Sequence, residues 1–148
     1  MVDLESLKIV SKEAGIEVLQ SWLFDLPELS YLRSIDVVRQ QNEVKDFEDI
    51  LDSIEREVML TVDGKSKEIR DAQVKSELEK SERYFGAKKD VRDAYEKLET
   101  LKAQRAYYDA MFGVVKNECY FSKSMKQLEL NREMKKETAE SFAVKREE

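Results

Sequence analysis

The chain has 148 residues, one domain's worth of material, and its charged residues (39%) nearly equal its hydrophobic ones (41%). With only 4 Gly and 1 Pro, that balance favours long solvated helices and excludes a β-barrel or sandwich. The lack of His and the single cysteine, Cys119, remove the commonest general base, an internal disulfide and a thiolate metal cluster. Neither catalysis nor a metal or other cofactor is therefore expected. No apolar run approaches about 18 residues and no charged-then-apolar leader follows Met1, so the expected setting is a reducing cytoplasm without membrane contact.

The formal net charge of -6 conceals an asymmetry. Residues 1–62 hold 6 basic and 14 acidic side chains, whereas residues 63–148 hold 20 and 18, and the stretch from Leu101 to Lys136 holds 8 and 4. Such polarity suggests two different surfaces, one for nucleic acid and one for protein.

In chain order, Gly15 and Pro27 predict two short helices. The first spans 3–14 on Leu4, Leu7 and Val10, and the second 16–26 on Ile16, Leu19, Trp22, Leu23 and Leu26. Trp22, Leu23 and Phe24 are expected in the core. After Pro27 the pattern Leu32, Ile35, Val37, Val44, Phe47, Leu51, Ile54, Val58 predicts a helix to about Thr61, with coiled-coil spacing from Val44 onward. Asp63-Gly64 is a turn dipeptide, and Ser66 followed by Glu68 reads as an N-cap with an acidic first turn, so a helical hairpin follows.

The segment from Ser66 to about Arg83 is polar, with Asp71/Lys75 and Glu79/Arg83 at four-residue spacing. After Gly86 comes the longest stripe: Val91, Ala94, Leu98, Leu101, Arg105, Tyr108, Phe112, Val115 and Cys119, with Gly113 tolerated inside it. Beyond about Met134 the chain is expected to fray. The expected fold is a single all-α domain: a long helical hairpin or coiled coil with short N-terminal helices, oligomerising through its C-terminal helix. Its parts are acidic helices over 1–62, the turn and long helices over 63–136, and a charged tail over 137–148.

Asp46, Glu48, Asp49 and Asp52 surround a helix exterior and read as a solvated face rather than a catalytic cluster. Cys119 lies on the apolar stripe and reads as a structural thiol. The helix over 100–130 is apolar in two directions. One holds Leu101, Tyr108, Phe112, Val115 and Cys119, and the other Tyr107, Met111, Val114, Phe121, Met125 and Leu128, which a second copy of the chain would cover. The alternative is a helix wholly internal to one bundle. The remaining arc gathers Lys102, Arg105, Lys116, Tyr120 and Lys123 within about 60°, with Asp109 the wrong-signed member. Cations for phosphates and an aromatic for a base are minimal equipment for single-stranded nucleic acid, although a charge run is also what an ordinary solvated face looks like. A second basic group, Arg56, Lys65, Lys67 and Arg70, surrounds the turn.

From Lys75 to Glu133 the chain resembles phage recombination mediators of the UvsY type. The similarity lies in a Lys-Ser-Glu opening, a Lys-Asp-Val step at Lys89, Asp90 and Val91, and scattered matches at Leu98, Tyr107, Val115, Lys116, Tyr120, Lys123, Met125 and Leu130. The resemblance implies an all-helical subunit that assembles into a ring and binds single-stranded DNA. Such a ring helps a RecA-like recombinase replace single-strand-binding protein. Lys116 and Lys123 match lysines of the family's C-terminal helix. Where the family carries a basic pair before its central turn this chain has Arg56, then Met59 and Leu60, so Lys65, Lys67 and Arg70 are the candidate substitutes. The competing reading is a helical scaffold or regulatory partner that uses the same stripes and binds no DNA.

Overall fold

The computed structural model describes residues 15–147. Among the described residues it holds three helices and no strand: α1 over Ile16–Thr61, α2 over Lys67–Glu79 and α3 over Glu82–Glu147. The all-α hairpin expected from the sequence is the fold observed. The proposed helix over 3–14 lies outside the described residues.

The expected break at Pro27 does not occur, and residues 16–26 are the opening of α1 rather than a separate short helix. An interior proline costs a helix about 3 kcal/mol through its missing donor and its clash with the preceding turn. Packing offsets this: Leu19 and Leu26 are buried, and Trp22 and Leu23 pack beside them. The three-four spacing of Leu19, Leu23 and Leu26 resumes in Val37, Gln40, Val44, Phe47, Leu51 and Ile54, so the helical phase survives the proline. Phe24 departs from expectation, standing 80% exposed on the opposite side of α1 from Leu19 and Leu26.

The turn follows the sequence closely. Ser66 caps α2, its Oγ accepting from the Ile69 amide at 3.3 Å. Gly64 is required there by proximity, because a Cβ would stand 2.5 Å from Arg70 Cγ and 2.9 Å from its backbone N. The next boundary falls ahead of Gly86. Lys80 closes α2 with its amide donating to the Glu77 carbonyl, and Ser81 opens α3 by accepting from the Tyr84 amide at 3.3 Å. Ser81-Glu82 outweighs Gly86 because a capped start satisfies donors that a bare glycine cannot. Glu79 and Arg83 consequently sit on different helices, and Arg83 pairs with Glu57 of α1 at 2.9 Å. The expected fraying after Met134 is also absent, since α3 runs to Glu147 on Glu, Lys, Arg, Met and Ala, all strong helix formers.

The chain divides into two compact units, one of residues 1–30 with 106–148, the other of residues 31–105. The division falls where both stripes turn polar, at Ser30 and Arg33 on α1 and Arg105 on α3. In the 31–105 unit α1 and α3 run antiparallel. Glu43 faces Lys97 at 3.6 Å, Glu48 accepts from Tyr95 Oη at 2.6 Å, and Glu57 faces Arg83. Its core has two clusters: Val37, Val44, Ala94 and Leu98, and Ile54, Leu78 and Ala87, the latter bringing in α2. Gln40, only 3% exposed, occupies a stripe position and donates from Nε2 to the Ala94 carbonyl at 3.3 Å. In the other unit Leu19 and Leu26 pack on Met111 and Val115, which is wholly enclosed, with Tyr108, Phe112 and Cys119 alongside.

Candidate nucleic-acid interface

The described part of α3 in the unit of residues 1–30 and 106–148 presents three faces. Tyr108, Met111, Phe112, Val115 and Cys119 point at α1. At about 100° per residue, a second face carries Lys116, Tyr120, Lys123, Lys126, Gln127 and Leu130, and a third carries Val114, Phe121, Met125 and Leu128.

The second face forms an open groove of about 390 Å³, lined also by Cys119 and by Gln20 of α1. Among the described residues that line it are three lysines and no carboxylate. Lys116 Nζ lies 6.0 Å from the centre of the Tyr120 ring, and Tyr120 is 61% exposed, so its π face is available to a planar ligand. Positive charge beside an exposed aromatic matches what a single-stranded backbone and one stacked base require. Asp109, the wrong-signed residue of the predicted strip, accepts a hydrogen bond from Ser30 of α1.

Of the predicted strip, the structure brings together Lys116, Tyr120 and Lys123. Lys102 and Arg105 belong to the other unit, where both are exposed and Lys102 is paired with Glu99 at 2.7 Å. Arg56, Lys65, Lys67 and Arg70 are exposed around the turn of that unit, with Arg70 packed over Gly64. Lys126 was missed by the sequence reading because at about 100° per residue it stands about 60° outside the strip, beyond the azimuths of Phe112 and Cys119. Gln20 comes from another helix, and no local pattern announces it.

The predicted self-association surface divides. Met111 is 5% exposed and belongs to the intramolecular core, with Val114 packed against that core, which corrects their assignment to a face left for a second copy. One turn of α3 around Met111 faces α1 because the apolar arc there is wide enough to serve both sides. Tyr107, Phe121, Met125 and Leu128 are 41%, 63%, 42% and 54% exposed.

Among the described residues no group of His, Cys, Asp and Glu could hold a metal ion, and no helix is long and apolar enough to cross a membrane. The chain matches no protein-family model, no curated protein and no solved structure.

Proposed function

We propose that this protein binds single-stranded DNA without sequence preference and acts as a homo-oligomeric recombination accessory that helps load a RecA-type recombinase in place of single-strand-binding protein. The observation that carries the DNA-binding part is the groove lined by Lys116, Tyr120, Lys123 and Lys126, with no carboxylate among its described lining residues. The recombinase part rests on the resemblance of residues 75–133 to UvsY-type mediators. The protein's contribution is to hold the strand, with no bond made or broken.

Titration of a labelled single-stranded oligonucleotide by fluorescence anisotropy tests this. Three phosphate contacts per subunit cost about tenfold or more in affinity between about 50 and 200 mM salt. The double substitution Lys116→Glu with Lys123→Glu abolishes most of the binding and leaves the helical circular dichroism unchanged. A second reading, a helical scaffold without DNA, is favoured by the exposed apolar face at Phe121, Met125 and Leu128. It predicts no binding at either salt concentration.

A further inference from the structure

The third face of α3 repeats with coiled-coil spacing: Val114, Glu118, Phe121, Met125, Leu128, Arg132, at intervals of four, three, four, three and four. Val114, Phe121 and Leu128 occupy one core position of that heptad, and Glu118, Met125 and Arg132 the other. The stripe lies about 170° from the lysine groove and about 115° from the α1-packed face; Val114, at its start, packs against the α1 core, and beyond it neither face covers the stripe. Phe121, Met125 and Leu128 are exposed. The flanking positions that usually set partner orientation are Asn117, Ser124 and Asn131 on one side and Val115, Ser122 and Glu129 on the other; Glu129 meets only uncharged flanking residues in either orientation, which leaves the choice to the two charges inside the stripe. Among the described residues Glu118, half-buried, and Arg132, exposed, form no ion pair.

Those charges decide the orientation. A parallel, in-register pair would set Glu118 against Glu118 and Arg132 against Arg132. An antiparallel pair whose two-fold axis passes between Phe121 and Met125 packs each Phe121 on the other copy's Met125. It also places Glu118 opposite Leu128 of the second copy, within about one helical turn of that copy's Arg132. Two equivalent Glu118–Arg132 contacts result, one at each end, as an isologous interface demands. We infer that a second copy of this chain docks antiparallel on the Glu118–Arg132 face of α3, its register fixed by reciprocal Glu118–Arg132 pairs. This contact stands apart from the nucleic-acid reading and forms without DNA.

The test is the concentration-dependent mass of the full chain by sedimentation equilibrium in the absence of nucleic acid. Wild type is expected to reach at least twice the chain mass. Glu118→Arg alone and Arg132→Glu alone each turn two attractions into two repulsions and weaken association by about tenfold or more, whereas the double substitution restores it to within a few-fold. Arg132 is exposed and Glu118 half-buried, and circular dichroism checks that each variant keeps its helicity. A larger assembly showing the same rescue contains the two-fold contact and supports the inference. A chain that stays monomeric at every concentration overturns it, as does mass unaffected by Phe121→Asp. Single substitutions without effect, or a double substitution no better than either single one, rule out the antiparallel register. Because mass is read without oligonucleotide, failure here leaves the anisotropy result intact, and the converse also holds.

Discussion

The two units solve the same packing problem with different amounts of surface left over. In the 31–105 unit the antiparallel helices are tied across their seam by Lys97–Glu43, Arg83–Glu57 and Tyr95–Glu48, and α2 adds Leu78 to the core. In the other unit α3 meets α1 along one face and keeps two more, the lysine groove and the apolar stripe. Polar groups serve as cross-links in the first, whereas in the second Ser30–Asp109 does so and Lys116, Tyr120, Lys123 and Lys126 line the groove. Function is therefore to be sought where a long helix carries more pattern than its partner uses.

The sharpest way to break this comparison is to empty each core. Leu98→Ala in one unit and Met111→Ala in the other each remove a side chain no more than 5% exposed, and each is expected to cost about 2–5 kcal/mol. Thermal unfolding by circular dichroism measures this. Only Met111→Ala should also weaken oligonucleotide binding, because Met111 packs in the core beside the groove; equal effects on binding would dissolve the functional distinction. Pro27→Ala restores a helical donor in α1 and is expected to raise stability by about 1–3 kcal/mol, read by chemical denaturation. No gain would show that Pro27 itself contributes to the packing of Leu19 and Leu26. Gln40→Leu is next in size. A buried amide in an apolar stripe specifies alignment at some cost, so the substitution is expected to add about 1 kcal/mol while broadening the amide spectrum as register relaxes.

Helix content, the Asp63-Gly64 turn and the Ser66 cap were legible because each is a local signal with a local cause. The stripe on α3 was legible for the same reason, down to the burial of Ala94, Leu98 and Val115. Pro27 and Gly86 misled, since their intrinsic penalties are small beside the core packing of Leu19 and Leu26 or the capping by Ser81. Gln40 left a gap in the predicted stripe because its polarity hides a position that geometry makes internal. The lysine groove was half legible: Lys116, Tyr120 and Lys123 share a helix face by spacing alone. Gln20 enters only through antiparallel packing, and the separation of Lys102 and Arg105 into the other unit depends on where both stripes turn polar.

The smallest expected effect belongs to the Tyr95–Glu48 contact of the more tightly linked unit. The hydrogen bond to the Glu48 carboxylate, and then its negative charge, favour the neutral phenol and raise the Tyr95 pKa above the ordinary tyrosine value. The folded chain therefore holds this proton to higher pH than the unfolded chain. The contribution to stability is complete below the ordinary tyrosine range and is lost as pH rises through the folded value. Tyr95→Phe is thus expected to differ from wild type by a small, constant amount across neutral pH, with the difference vanishing in strong alkali. The difference between the tyrosinate absorbance titrations of the two proteins isolates this one ring. A transition above that of the exposed tyrosines confirms the bond, whereas coincidence with them would show that the cross-link opens in solution and that this unit is less tightly tied than its ion pairs suggest.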